Sequence, residues 1–238
     1  MSKVLIVGGG AAGMLASIFA ARNGNEVHVF EKNEKLGKKL FITGKGRCNI
    51  TNAGDMENLF ENVVSNRKFL YSSFYSYTNE DVISFFETLG VPTKIERGNR
   101  VFPVSDHSSD VIGALSGEMK RTGVKVHLYT KVSKILTENG RFSGLEFADG
   151  ACVQGDACVI ATGGFSYQTT GSNGDGYRFA EELGHTVTDI YPSLVPLAIE
   201  EEFVKELQGL SLKNVEAAIY DGKKKLYQDF GEMLFTHY

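Results

Sequence analysis

Gly8-Gly9-Gly10-Ala11-Ala12-Gly13 satisfies the spacing G-x-G-x-x-G, and the chemistry open to it is phosphate contact. Glycine at position 8 permits a tight turn, glycine at 10 lets a pyrophosphate come up against the backbone, and glycine at 13 lets a helix and a strand pack closely. A helix starting here would place Ala11 and Ala12 in its first turn, with free amides and the positive end of its dipole facing the phosphates. Glu31 follows Gly13 by 18 residues, where a carboxylate can accept hydrogen bonds from ribose hydroxyls. Its charge also opposes a ribose 2′-phosphate. Lys32, next to Glu31, is counted with the cofactor-binding residues; the bland alternative is a glycine turn with Glu31 merely solvated, and spacing alone does not separate one dinucleotide from another.

Two later stretches favour FAD over NAD. Gly37-Lys38-Lys39 and Thr43-Gly44-Lys45-Gly46-Arg47-Cys48-Asn49-Ile50-Thr51-Asn52 form a long loop dense in glycine, bases and small polar groups. Such a loop suits an extended cofactor: Lys38, Lys39, Lys45 and Arg47 offset pyrophosphate charge, and Asn49 and Thr51 supply neutral hydrogen bonds. A solvated basic loop is the alternative. The second stretch, Ala161-Thr162-Gly163-Gly164, puts small residues at a strand end where the chain passes close to a bound dinucleotide. An ordinary strand-to-loop turn would look the same.

These residues need a scaffold. Val4 to Val7 is a continuous apolar run of the kind buried on both faces of a parallel sheet. Ala11 to Asn23 reads as a helix stopped by Gly24, and Val27 to Phe30 as a second strand, which makes a βαβ unit. Helices are expected around Glu57 to Tyr75, over Asn79 to Leu89 with Asn79 as N-cap, and over Ser109 to Arg121. Thr93 to Val104 reads as a hairpin turning at Arg97-Gly98-Asn99, and Lys125 to Tyr129 as a strand. Val132 to Leu136, Phe142 to Phe147 and Ala151 to Gln154 make a small antiparallel β-meander, joined by the turn dipeptides Asn139-Gly140 and Asp149-Gly150. Cys158 to Ala161 resumes the parallel core. The predicted fold is α/β, a Rossmann-like FAD/NAD(P)-binding domain over residues 1–190. The start of an inserted β-rich domain follows over 191–238, with alternating stretches at Val195 to Ile199, Asn214 to Tyr220 and Lys225 to Tyr227.

The ordered set just quoted resembles a group of bacterial NAD(P)/FAD-dependent oxidoreductases, the flavoproteins related to aminoacetone oxidase and the BaiN-type steroid reductases. Within Thr43-Gly44-x-Gly46-Arg47-Cys48-Asn49-x-Thr51-Asn52, the stretch Gly46-Arg47-Cys48-Asn49-x-Thr51-Asn52 is its most specific part. Arg100-Val101-Phe102-Pro103, Gly171-Ser172-x-Gly174-Asp175-Gly176, Pro192 to Leu197 and Gly231 to His237 fit the same group. The resemblance implies non-covalent FAD, contacted by Gly10 to Gly13, Glu31, the Lys38 to Asn52 loop, Ala161 to Gly164 and the backbone at Val132. It also implies hydride transfer between flavin and a small organic substrate of the amine or enone class, with oxygen or NAD(P)H completing the cycle. The group's pattern continues past residue 238 to a further glycine-rich FAD segment, so the chain reads as C-terminally truncated.

Other features exclude functions. A net charge of −4 with mixed signs leaves no basic stripe for nucleic acid and no polybasic membrane patch. No apolar run approaches the roughly 20 residues a bilayer needs, and no signal peptide is read, so the cytoplasm is expected. Cys48, Cys152 and Cys158 lack metal-site or disulfide spacing, so no metal is expected. Cys48 reads as a packed or phosphate-adjacent thiol rather than a redox one, His28 and His185 as structural, Ser105 to Ser109 as a helix start rather than a hydrolase set, and Asp175 as an N-cap. No catalytic acid or base is named, since the flavin carries the chemistry. Two rival readings remain: an NAD-dependent dehydrogenase, and a non-catalytic nucleotide-binding remnant.

Overall fold

The computed structural model describes residues 1–236, so His237 of the resemblance lies outside the described residues. The chain divides into two compact units, Met1–Val187 and a second beginning at Thr188.

In the first unit, β1 (Lys3–Val7), α1 (Ala11–Arg22) and β2 (Glu26–Phe30) form the expected βαβ start. A short helix α2 (Lys38–Ile42) lies within the stretch read as loop, and β3 (Thr51–Asn52) closes it. The 57–75 region is broken into α3 (Met56–Glu61), a 3-10 turn at Arg67–Leu70 and α4 (Tyr71–Ser76); Asn66, in the left-handed region at φ 52°, interrupts it. Next come α5 (Asn79–Thr88), β4 (Thr93–Glu96), β5 (Arg100–Pro103) and α6 (Ser108–Arg121). The N-cap of α5 is Thr78, which forms a capping box with Asp81, rather than Asn79. The Asn79 side chain donates instead to the carbonyls of Asn52 and Gly54, holding α5 against β3.

The strand β6 (Lys125–His127) ends two residues earlier than expected because Tyr129 is left-handed, at φ 54°. The meander is β7 (Val132–Glu138), β8 (Arg141–Phe147) and β9 (Cys152–Gln154), and β10 (Ala157–Ile160) returns to the parallel sheet, followed by α7 (Asp175–Glu182). The parallel sheet has the order β10-β1-β2-β6, and the meander and β3-β5-β4 are separate antiparallel sheets.

The apolar run of β1 is explained by its two faces. Alternation along the strand sends Val4 and Ile6 to one side, with Met14 and Ile18 of α1, Phe85 and Phe86 of α5, and Val111, Leu115 and Met119 of α6. Leu5 and Val7 go to the other, with Phe30, Val132, Ile135, Leu145 and Phe179. Full burial of a residue such as Leu5 or Ile6 contributes roughly 1.5–3 kcal/mol. The helices thus clamp the sheet from one side and the meander with α7 from the other, which leaves the loops after β1, β2 and β10 at one end.

The second unit has a 3-10 turn at Glu202–Leu207 and a two-stranded antiparallel ribbon, β11 (Ser211–Asp221) and β12 (Lys224–Leu234). Residues 195–199 form no strand; Pro196 carries no amide hydrogen for a ladder.

Candidate functional site

At the loop-bearing end of the parallel sheet is a cavity of about 440 Å³, within the range of ligand pockets. Its walls come from separate stretches of the first unit: Gly8 to Ala12, Phe30 to Asn33, Lys38 to Leu40 with Thr43, Thr130 to Val132, Ile160 to Gly163, and Thr170 to Ser172 with Asp175 and Phe179.

The first loop is shaped by close packing. Gly8 has φ +106°, and a Cβ there would lie 2.5 Å from the Ala161 carbonyl oxygen. A Cβ on Gly13 would overlap the Gly8 carbonyl, so Gly13 sits in the seam between α1 and β1 rather than in the cavity wall. Gly10 differs: a Cβ there would meet nothing within 4 Å. The space before Gly10, at the first turn of α1, is open, and a helix N-terminus of this kind can receive an anion on its backbone amides.

Glu31 is buried and its carboxylate is already organised. Oε2 accepts from the Gly9 amide at 2.7 Å, and Oε1 accepts from the Asn33 amide at 2.8 Å and from Asn33 Nδ2 at 2.7 Å. The backbone on either side is fixed too, since the Glu31 amide donates to the His127 carbonyl and the Thr130 amide to the Glu31 carbonyl. Each carboxylate oxygen can accept further bonds, so this arrangement suits a pair of ribose hydroxyls.

The lysines divide by partner. Lys32 Nζ donates to Asp175 and Asn173, and Lys38 Nζ to Glu34 and Asn33. Lys39 faces the cavity with Ser166 Oγ at 3.4 Å, and burial pushes its ammonium pKa below the ordinary value. Neither Lys39 nor Lys131, which also lines the cavity, has a carboxylate in ion-pair range among the described residues, so both can answer an anion, Lys39 from the more buried position.

Much of the stretch from Gly44 to Thr51 is turned away from the cavity wall. Arg47 lies 4.1 Å over the Phe102 ring and bonds Glu96 at 2.9 Å and Asp106 at 3.4 Å, both of which also bind Lys94. Cys48 is buried, and that burial pushes its thiol up, which disfavours the reactive thiolate. With its side-chain amide turned so that both of its atoms find partners, Asn49 Nδ2 donates to the Val101 and Thr51 carbonyls; Thr51 pairs with Val101 in the small sheet, and Gly44 packs on Phe102 and Asn49. These residues fasten the loop to β5. Gly164 packs against Tyr177 outside the wall.

The cavity therefore gathers Gly8, Gly10, Ala11, Ala12, Glu31, Lys32, Lys38, Lys39, Thr43, Val132, Ala161, Thr162 and Gly163, and leaves Gly13, Gly44, Lys45, Arg47, Cys48, Asn49, Thr51 and Gly164 outside its lining. Asn33, Thr130, Lys131, Thr170 and Phe179 also line it, and sequence reasoning did not single them out. Asn33 lies two residues beyond Glu31, the one signal that pointed toward it. Asp175 is not an N-cap: the cap of α7 is Gly174, and the Asp175 carboxylate bonds Lys32 at 2.7 Å. His28 shares hydrogen bonds with His127 and Glu26, as a structural histidine should, and His107 precedes α6 without forming a nucleophile set. No group of three or more metal-binding side chains occurs among the described residues, and no described helix is long and apolar enough to cross a membrane.

The chain is 32% identical to a 3-dehydro-bile acid delta(4,6)-reductase of Clostridium scindens, over 100% of its length and 57% of that protein. It is 30% identical to a ribosomal RNA dihydrouridine synthase of Haemophilus influenzae, over 99% of its length and 58% of that protein. It thus spans rather more than half the length of these relatives. Among solved structures, a 3-ketosteroid-delta4-(5alpha)-dehydrogenase from Rhodococcus jostii shares the fold at TM-score 0.61 and 18% identity, over 77% of this chain and 54% of that one. The profile of the HI0933-like protein Rossmann domain matches residues 2–236, and the chain belongs to that family.

Proposed function

We propose that this chain is the FAD-holding part of a flavin-dependent oxidoreductase that reduces a carbon–carbon double bond conjugated to a carbonyl. The observation that carries FAD binding is the cavity itself: an open approach to Gly10 at the start of α1, with the buried Glu31 carboxylate at one side. The reaction class rests on the two relatives. A delta(4,6)-reductase acting on a 3-dehydro bile acid and a dihydrouridine synthase differ in substrate, yet each name describes saturation of a double bond conjugated with a carbonyl. That favours a substrate of the enone class over one of the amine class, and NAD(P)H is the proposed electron donor.

The chain's own residues bind and orient. Amides of the first turn of α1 receive the pyrophosphate, and Lys39 supplies positive charge on the same side. Glu31 accepts the ribose hydroxyls and excludes a 2′-phosphate by charge. The Val132 segment borders the adenine, and Ala161 to Gly163 give backbone close approach. When bound, the flavin supplies the hydride chemistry.

The test is a visible spectrum of the purified chain with FAD, followed by desalting. Retained flavin absorption, bleached by NADH or NADPH and restored by an enone, is the expected result. A chain that retains no FAD but binds NAD would overturn the proposal in favour of a nicotinamide-dependent dehydrogenase. One that binds neither would leave only a non-catalytic remnant.

A further inference from the structure

Lys32 and Asp175 both line the cavity and meet there from stretches 143 residues apart in sequence. Lys32 follows Glu31 at the end of β2, and Asp175 opens α7. The Lys32 ammonium donates to Asp175 Oδ2 at 2.7 Å and to Asn173 Oδ1 at 2.8 Å, and both partners of the ion pair are largely buried, with side chains 23% and 15% exposed. Next to it, Asn33 Nδ2 is shared between Glu31 Oε1 at 2.7 Å and the Thr170 carbonyl at 3.1 Å. The backbone at Gly171 lies directly against both side chains; a Cβ there would sit 3.1 Å from Lys32 Cε. The wall from Thr170 to Ser172 is thus tied to β2 through Lys32 and Asn33.

We infer that the Lys32–Asp175 pair is a clasp that sets how long the cavity holds its dinucleotide, and that Lys32 is a positioning residue acting through the Thr170–Asp175 wall rather than a ligand of the cofactor. This rests on the reading that the cavity takes FAD. Lys32 sits beside the ribose carboxylate, where a free ammonium would attract phosphate. Its charge is instead matched by Asp175, and its remaining donor capacity goes to Asn173. Opening the pair frees the wall that faces Glu31, and the route outward opens with it.

Two readings of Lys32 give opposite results for one substitution. If Lys32 touched the cofactor directly, Asp175→Asn would free its charge and slow FAD release. If the pair is a clasp, Asp175→Asn speeds release. The experiment measures FAD dissociation by fluorescence recovery on dilution for wild type, Lys32→Gln, Asp175→Asn and the double variant. Each single change should speed release by roughly three- to tenfold, and the double variant should release no faster than the singles, because the interaction is lost once. Added salt should speed release from wild type more than from the variants. Asp175→Asn release at or below the wild-type rate, or additive effects in the double variant, would overturn the clasp.

Amide hydrogen exchange on the free chain provides a second arm that does not depend on FAD. Residues 170–175 should exchange faster in both single variants while β1 is unchanged, and unchanged exchange at 170–175 overturns the clasp. A chain that shows the exchange effect but takes up no FAD overturns the cavity reading itself, so the two failures are distinct.

Discussion

The Gly9 amide donates to Glu31 Oε2 at 2.7 Å, so the residue that would read the ribose also braces the loop that would hold the phosphates. Glu31→Ala leaves the amides of Gly9 and Asn33 without that acceptor in a buried setting. A loss of about 1–3 kcal/mol in unfolding free energy is expected even without ligand. Urea unfolding of the free protein checks this, and an unchanged midpoint would show that water replaces the carboxylate at no cost.

Two glycines of the same loop should respond differently to alanine. Gly8→Ala forces a side chain onto the Ala161 carbonyl at a backbone angle of +106°, and should cost on the order of 3 kcal/mol in stability. Gly10→Ala meets nothing, and Gly10 has ordinary dihedrals of φ −80° and ψ −173°. It should change stability by less than about 1 kcal/mol while placing a methyl in the pyrophosphate space. Thermal melts paired with FAD titration separate the two: one variant fails in the melt, the other in the titration.

The cations of the 38–47 stretch should sort by partner. Lys39→Gln should weaken FAD binding by roughly tenfold and flatten its salt dependence, since Lys39 brings uncommitted charge to the cavity. Lys38→Gln should cost less, because Glu34 already neutralises Lys38. Arg47→Met should act on stability, by about 1 kcal/mol, through loss of its Phe102 and Glu96 contacts. FAD titration at two ionic strengths, with urea unfolding of Arg47→Met, tests this order.

Acid should destabilise the first unit in two steps. Burial, then the charges of His28, Lys125 and Lys3, hold His127 below the ordinary 6.5. The unfolded state therefore binds the extra proton first, and stability is lost as pH falls below about 6.5. Hydrogen bonding from Arg121, against the opposing effect of burial and with help from Arg22, pulls Glu118 down to about 2 from 4.5. Its contribution is present above 4.5 and is lost as pH falls toward about 2. His127→Gln should flatten the upper limb of a stability–pH curve, and Glu118→Gln the lower one. A curve that keeps both limbs in the double variant would place the acid sensitivity elsewhere.

What could be read from sequence was what local spacing controls. The glycines between β1 and α1, Glu31 at the end of β2, and the turn dipeptides of the meander are each marked by a short local pattern, even though Gly8 packs on Ala161 and Glu31 accepts from Gly9. The function of Arg47 could not be read that way, because its partners Glu96 and Asp106 are 49 and 59 residues distant and reach it only through the small sheet. The same holds for Asp175, whose local sequence looks like a cap until β2 brings Lys32 to it. Residues 195–199 alternate like a strand, yet nothing pairs with them, so alternation without a partner strand gave a false signal.

The cavity draws on segments from Gly8 to Phe179, and none of them closes it alone. During synthesis the Gly8 to Ala12 wall is made some 160 residues before the Thr170 to Asp175 wall. Loop closure over that span comes before any contact can reward it. A nascent chain therefore completes this cavity only when nearly all of the first unit has left the ribosome.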